Sequence, residues 1–288
     1  GGELSRQIAR MNPAKILLLD HSEYALSGID RELRPMQNAT GKIIPLLVDL
    51  KQRNQLSAVF ELYQPQVVFH AAAYKHVHLV ETNVCPAIVN NVAGTLNLLD
   101  LCQHTNVEQF VLISTDKAVN PIGAMGATKR VCEILTTITA QVTQRPFFSV
   151  RFGNVLGSSG SLIPLLTKQI EQGGSITVTH QEMTRYFMLI PEAVALVLKS
   201  TVLANRGDIG ILRMGEPVKI VTIVKNLLAL MGKTEEEVPL EFTGLRPGEK
   251  MFEELYLRGD ELQTDDPDIL ILPHGDMLEE QPLGYPQI

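Results

Sequence analysis

Cysteine is scarce in this chain, with three residues among 288. Cys85, Cys102 and Cys132 sit singly inside apolar, helix-like stretches, with neither pairing nor metal-ligand spacing between them. That pattern argues against a disulfide framework and fits a reducing compartment. A surplus of positive charge is also missing. The 25 Lys and Arg stand against 32 Asp and Glu, a formal charge of −7, so nothing suggests a general nucleic-acid binder. A nucleotide ligand stays open, because it needs only a few local cations and backbone amides. No apolar run reaches the roughly 18 residues of a membrane span, and no signal peptide is visible. Internal repeats are absent. His76 and His78 have no companion ligands at metal-site spacing, so no metal is expected. What the chain does have is 45% hydrophobic content with 21 Gly and 16 Pro, enough for one large core or two unequal domains.

Short β-rich runs alternate with longer helical patterns, the signature of a parallel sheet covered by helices. Strands are read at residues 15–20, 43–49, 66–71, 109–114 and 146–152. Leu4, Ile8 and Met11 keep helical spacing, as do Val84, Ile88 and Val92. The fold class is therefore α/β, a doubly wound parallel sheet through about residue 152. Shorter pieces follow: strands near 175–179, 209–214 and 240–242, helices near 191–203 and 220–231, and a loose tail from about Pro273. The larger unit is taken as 1–152, with 187–215 returning to it. A smaller substrate unit comprises 153–186 and 216–288. The chain opens directly on a helix at Gly1-Gly2-Glu3-Leu4. A doubly wound sheet needs its first strand at the centre, and without it the neighbouring strands lose ladder partners. The expectation is a sheet lacking its first strand, with that strand lying ahead of Gly1.

If Gly1 is the last glycine of a G-x-x-G-x-x-G turn, an acidic residue should close the next strand about 20 residues on. Asp20 ends the run Ile16-Leu17-Leu18-Leu19 at that distance. A carboxylate there accepts hydrogen bonds from ribose hydroxyls and repels a 2′-phosphate, which favours NAD over NADP. Capping of the following loop is the other reading of Asp20. Asp49, at the end of the next strand, is placed to meet the adenine amino group, with the same alternative. Ala71, Ala72 and Ala73 follow the strand at 66–71, where small side chains allow a cofactor close to the backbone. Tight helix–sheet packing would also account for them.

The strand at 109–114 delivers Ser114, Thr115, Asp116 and Lys117 to the carboxyl edge of the sheet, where doubly wound folds hold ligands. A helix begins near Ala124 and puts Met125 and Lys129 on one face, four residues apart. A hydroxyl, a carboxylate and two ammonium groups therefore converge on one place.

At this point a resemblance becomes plain. The chain resembles the extended short-chain dehydrogenase/reductase superfamily, and within it the polysaccharide-biosynthesis branch of UDP-N-acetylglucosamine 4,6-dehydratases. The matching stretches are His70-Ala-Ala-Ala-Tyr-Lys-His-Val77, Asn90-Asn-Val-Ala-Gly-Thr95, Ser114-Thr-Asp-Lys-Ala-Val-Asn-Pro121, Met125-Gly-Ala-Thr-Lys-Arg130 and Arg151-Phe-Gly-Asn-Val-Leu-Gly-Ser-Ser-Gly-Ser161. Further along come Thr184-Arg-Tyr-Phe-Met188, Gly215-Glu-Pro-Val-Lys219 and Gly244-Leu-Arg-Pro-Gly-Glu-Lys250. They cover almost the whole chain in family order, and it is the set that is specific. The usual Tyr-x-x-x-Lys pair reads Met125-x-x-x-Lys129, so the normal tyrosine base is absent. Methionine at that position resembles the membrane-anchored dehydratases that retain C5 configuration; those that invert C5 keep the tyrosine.

The resemblance implies a set of roles. NAD, tightly bound and recycled, takes a hydride from C4 and returns it to C6. Thr115 contacts the C4 hydroxyl, Asp116 protonates the departing C6 hydroxyl, and Lys117 takes the C5 proton. Lys117 must then be neutral, which burial beside other cations would favour. Lys129 holds the nicotinamide ribose, and Asn91 belongs to the cofactor site. Lys75, Asn154, Arg185, Arg246 and Glu249 are implied substrate contacts, the arginines matching pyrophosphate in charge and fork geometry. Glu249 pairing with Arg246 is the alternative there. The expected substrate is UDP-N-acetylglucosamine, the expected assembly a homo-oligomer, and the expected location the cytoplasmic face of a bacterial membrane, reached through segments outside this chain. A C5-inverting dehydratase, a UDP-sugar 4-epimerase and a non-enzymatic NAD-binding module are the rivals.

Overall fold

The computed structural model describes residues 1–36, 42–157, 162–256 and 260–273. The expected tail beyond residue 273 and the end of the Arg151–Ser161 motif, 158–161, lie outside the described residues. The first half alternates strands and helices: α1 (Gly2–Arg10), β1 (Lys15–Asp20), α2 (Glu23–Leu33), β2 (Lys42–Leu47), α3 (Arg53–Tyr63) and β3 (Val67–His70). Next come α4 (Val77–Thr82), α5 (Val84–Ala87), a π-helical turn (Ile88–Ala93) and α6 (Gly94–His104), then β4 (Gln109–Ile113), α7 (Ala124–Thr143) and β5 (Phe147–Arg151). The second half holds β6 (Asn154–Leu156), α8 (Leu162–Glu171), β7 (Ile176–Val178), β8 (Thr184–Arg185), β9 (Phe187–Leu189) and α9 (Ile190–Leu203). It closes with β10 (Ile209–Leu212), β11 (Val218–Lys219), α10 (Ile220–Leu230), β12 (Leu240–Phe242), β13 (Leu262–Gln263) and β14 (Ile269–Leu272).

The largest sheet has the order β13-β14-β10-β5-β4-β3. Strands β3, β4, β5 and β10 are parallel, while β14 and β13 add an antiparallel edge. Every residue of β5 and β10 is buried, as expected for strands covered on both faces. Side chains alternate across this sheet. Phe110, Leu112 and Phe147 point into a core with Leu56, Phe60, Leu98 and Leu99 of α3 and α6. Val111, Phe148 and Val150 pack on the opposite face with Leu196 and Val197 of α9. The continuous helix Val84–His104 is long and apolar enough to cross a membrane by length and composition alone, yet Leu98, Leu99, Leu101 and Cys102 bury it in this core.

The pair β1-β2 forms a separate parallel sheet. Among the described strands, β1 pairs only with β2 and β3 only with β4. The parallel strands therefore fall into two separate sheets, β1-β2 and the one edged by β3. Val67 is 46% exposed and β1 buries one residue of six, unlike the central β5. Part of the expected second unit behaves otherwise. The sequence assigned all of 216–288 to the smaller unit, but β13 and β14 hydrogen-bond into the large sheet beside β10. The run Ile269–Leu272 is apolar on both sides, so it is buried most fully at that edge. The remaining smaller unit has its own core, in which Leu166 and Ile170 of α8, Ile176 of β7, and Val224 and Leu228 of α10 meet.

Candidate active site

The ladder between β4 and β5 runs past the strand ends. Ser114 N–H donates to the Val150 carbonyl at 2.7 Å and Asp116 N–H to that of Phe152 at 3.1 Å. Residues 114–116 are therefore fixed by backbone bonds at the carboxyl edge, as the sequence suggested. A 3-10 turn, Asp116–Ala118, follows, and the Thr115 hydroxyl caps it by accepting from Lys117 N–H at 3.4 Å. The first turn of α7 lies directly on this turn. A Cβ on Gly126 would stand 2.2 Å from the Lys117 carbonyl oxygen, so only glycine permits the approach.

Five polar side chains meet here. The Thr115 hydroxyl donates to Asp116 Oδ1 at 2.9 Å, and Lys117 Nζ donates to the same oxygen at 2.9 Å. Lys117 Nζ also reaches Asn154 Oδ1 at 3.3 Å and Glu253 Oε1 at 3.5 Å. Asp116 is fully buried, and its Oδ2 has no hydrogen-bond partner among the described residues. An acceptor left unpaired in a buried place awaits a ligand group. One expectation changes: the charges closest to Lys117 are carboxylates rather than cations.

Behind the cluster, α7 presents Lys129, 6% exposed, whose ammonium is lowered by burial and raised again by Cys132 and Glu133. His70 is buried beside it and bonds Thr95 Oγ1 at 2.8 Å; burial first, then the Lys129 charge, push its imidazole down to about 3. Met125 packs between Val80 and Ala87 in a small apolar cluster at 4% exposure. It is a packing residue behind the site. Asn91 is buried within the π-helical turn and clamps Tyr74, accepting from its N–H at 2.7 Å and donating to its carbonyl at 3.1 Å. It also donates to Thr128 Oγ1 at 3.0 Å, so it ties the loop after β3 to α7. Insertions of this kind in a helix recur at functional sites.

The residues expected to hold a cofactor lie at or just beyond the carboxyl ends of β1, β2 and β3. Asp20 ends β1, accepts from Ser22 N–H at 2.8 Å and leaves 45% of its side chain exposed. Asp49 follows β2 by two residues and is bound by Lys51, through N–H at 2.9 Å and Nζ at 2.7 Å. Both carboxylates thus make the loop contacts that the sequence held open as alternatives. Ala71 and Ala72 are exposed and Ala73 is half-buried. A row of methyl groups at the carboxyl end of β3, an accessible carboxylate at β1 and a buried ammonium on α7 fit a dinucleotide.

At the other end, Arg246 is exposed and forms no ion pair among the described residues. Glu249 accepts from Thr179 Oγ1 at 3.4 Å and from Arg246 N–H at 3.5 Å, so the bond to Arg246 is through its backbone. Arg185 is differently employed. Its Nη1 donates to the Thr184 and Met251 carbonyls and its Nη2 to that of Lys250, while Nε lies 3.8 Å from Glu253. The guanidinium fork is turned inward to hold the 250–253 segment rather than outward to a pyrophosphate. Lys250 Nζ donates to the Val119 carbonyl at 2.8 Å. A Cβ on Gly123 would lie 2.6 Å from Glu81 Oε1 and 2.7 Å from Gly248 Cα. The 246–250 loop is therefore strapped onto the loop that carries the reacting groups.

Two charged residues escaped the sequence reading. Glu133 sits one turn beyond Lys129 on the buried face of α7 and pairs with Arg151. Glu253 alternates with Met251 and Leu255, and that spacing could have marked it as facing inward.

A sequence model of the family described as polysaccharide biosynthesis protein matches residues 1–273. The chain belongs to that family. It is 48% identical over 256 residues to "Capsular polysaccharide biosynthesis protein CapD" of Staphylococcus aureus, an alignment covering 88% of this chain and 43% of that protein. The chain thus spans less than half the length of this relative. The structure of Pen from Bacillus thuringiensis superposes with a TM-score of 0.85 at 30% identity, over 95% of this chain and 85% of Pen. DesIV, a dTDP-glucose 4,6-dehydratase from Streptomyces venezuelae solved with NAD and TYD, gives 0.76 at 19% identity, over 89% of this chain and 84% of its own. At that identity the likeness speaks for the fold alone, a mostly parallel sheet covered by helices.

Proposed function

We propose that this family member is the catalytic part of an NAD-dependent 4,6-dehydratase that converts UDP-N-acetylglucosamine to the 4-keto-6-deoxy sugar with C5 configuration retained. The observation that carries the reading is the Thr115–Asp116–Lys117 turn. An acid and an amine sit 2.9 Å apart at the ligand edge of the sheet, where elimination across C5 and C6 needs both. A 4-epimerase needs neither. A bound nicotinamide dinucleotide supplies the hydride acceptor at C4 and the donor at C6, and Asp20 favours NAD over NADP. Thr115 presents its hydroxyl to the C4 oxygen, Asp116 delivers a proton to the leaving C6 hydroxyl, and Lys117 removes the C5 proton and later returns it. Atoms balance: the C4 hydroxyl proton and the C6 hydroxyl leave together as water. Lys129 anchors the ribose and places positive charge near the developing oxyanion. Ala71, Ala72 and Ala73 border the dinucleotide, with Asn91 fixing their loop and Lys75 beside it. Arg246 and Glu249 meet the UDP moiety. The full-length enzyme works at the cytoplasmic face of the membrane as a homo-oligomer.

The test is to incubate the full chain with UDP-N-acetylglucosamine and follow product by NMR. Loss of water with a new C6 methyl signal is expected, and the couplings of H5 report its configuration. Formation of the C4 epimer alone would establish the rival. Denaturing the purified protein should release NAD; mainly NADP would overturn the role of Asp20.

A further inference from the structure

Lys117 stands in surroundings that oppose its proposed task. Two carboxylates face its Nζ, Asp116 Oδ1 at 2.9 Å and Glu253 Oε1 at 3.5 Å. An ammonium has no lone pair with which to take a proton from C5. Something nearby must discharge it first. Asp116 is engaged, because Oδ1 already accepts from Thr115 and its acid function needs a proton of its own.

Glu253 is the carboxylate available: its Oε1 stands 3.5 Å from Nζ, an ion-pair distance that closes to a hydrogen bond before a proton passes. It lies on the segment that follows the strapped loop, 7% exposed, with Oε1 toward Lys117. Its Oε2 is buried and has no hydrogen-bond partner among the described residues. An ionised carboxylate offers about four lone-pair sites and loses much when one oxygen is desolvated and unpaired. A neutral carboxyl with its proton on Oε1 leaves only a carbonyl oxygen there, at smaller cost. Four charged groups act on Glu253: Lys117, Asp116, Arg185 and Lys250. Burial is the largest influence and Asp116 reinforces it. Together they outweigh the three cations and hold the carboxyl above the usual carboxylate range.

We propose that Glu253 is the proton acceptor that discharges Lys117. One proton passes from Nζ to Oε1, breaking an N–H bond and forming an O–H bond, so an ammonium–carboxylate pair becomes an amine–carboxylic acid pair. The amine lone pair then takes the C5 proton and gives it back when hydride reaches C6, after which Glu253 returns its proton to Lys117. Glu253 touches no reacting atom and acts wholly through Lys117. This inference rests on the dehydratase reading, since an epimerase has no C5 base to discharge.

The experiment compares wild type, Glu253→Gln and Glu253→Asp as full chains loaded with dinucleotide. Three quantities are read on UDP-N-acetylglucosamine: the absorbance of reduced nicotinamide, deuterium uptake at C5 in heavy water, and kcat against pH. Glu253→Gln should keep its cofactor and C4 oxidation but lose C5 exchange by about 100-fold or more, the usual scale for a proton-transfer group. KM should change little. The residual kcat should climb toward alkaline pH, where solvent discharges the ammonium instead. Glu253→Asp, with the carboxyl drawn back by one methylene, should restore part of the exchange. Wild-type exchange and an unshifted pH profile in Glu253→Gln would overturn the inference while leaving the dehydratase reading intact. So would parallel loss of cofactor and C4 oxidation, which marks a structural role. Should Glu253→Gln not fold, Glu253→Asp decides, and wild-type exchange with an unshifted profile there overturns the inference. Wild-type enzyme that neither exchanges C5 nor eliminates water removes the dehydratase reading itself.

Discussion

Glu133 offers the sharpest test of how α7 is held in register with the reacting turn. Its side chain is fully buried. Oε1 accepts from the Ser114 hydroxyl at 2.6 Å and Arg151 Nε at 2.8 Å; Oε2 accepts from Arg151 Nη2 at 2.7 Å and Arg130 Nη1 at 3.3 Å. Burial opposes its ionisation, but Arg151, Ser114 and Arg130 overcome that and hold the carboxyl below its ordinary value. Glu133→Gln keeps the shape, removes the charge and turns an NH2 group toward guanidinium donors. Breaking a buried pair from one side costs about 3–5 kcal/mol, because Arg151 is left uncompensated. A chain of this size loses roughly 2–4 °C per kcal/mol, so melting should fall by roughly 6–20 °C. Calorimetry at neutral pH measures it. The difference depends on pH in a defined direction. A carboxyl whose folded value is depressed contributes stability above its unfolded value, near ~4.3, and loses it as pH falls through the folded value. The gap should be full at pH 7 and close on acidification below about pH 4. Glu133→Leu combined with Arg151→Met should cost less than Glu133→Gln alone, since no charge is stranded. A Glu133→Gln protein melting within about 2 °C of wild type at pH 7 would refute the reasoning.

Asp116→Asn should fold and bind dinucleotide yet lose turnover by about 100-fold or more, because an amide cannot protonate a leaving hydroxyl; wild-type turnover would remove Asp116 from the mechanism. Gly126→Ala puts a methyl 2.2 Å from the Lys117 carbonyl, so α7 and the turn must separate by about 1 Å. Overpacking of this kind costs about 1–3 kcal/mol, and misplacement on that scale lowers kcat about 100-fold; unchanged kcat and melting would show that the contact is slack. Met125→Leu should retain most activity and cost below about 1.5 kcal/mol, because Leu fills the space between Val80 and Ala87. Lys129→Ala should be severely impaired in turnover and cofactor content, and the opposite ranking of these two variants would reverse the account of this helix face.

The parallel strands were legible because β-branched and aromatic runs of five or six residues separate helical periods, and their ends place Ser114, Asp20 and His70 at one edge without further information. Strands β13 and β14 were not legible: Leu262–Gln263 is two residues long, and the apolar run Ile269–Leu272 gains its meaning only from pairing with β10. Residue type located Lys117 but not its neighbours, since Glu253 arrives from 136 positions away in sequence. Arg185 illustrates the same limit. A guanidinium suits pyrophosphate and backbone carbonyls alike, and only the path of residues 250–253 decides that its fork faces inward.

The strap that fastens Lys250 to Val119 and Gly248 against Gly123 has a consequence for how this chain can vary in length. An added residue beside these anchors would have to displace the Lys250–Val119 bond or the Gly248–Gly123 contact. Insertions and deletions should therefore be rejected from 244 to 251. They should be accepted at the exposed stretch 232–237 between α10 and β12, where the backbone touches neither anchor. The approach of residues 246–250 to residues 119–123 is in this way written into the length of one short loop.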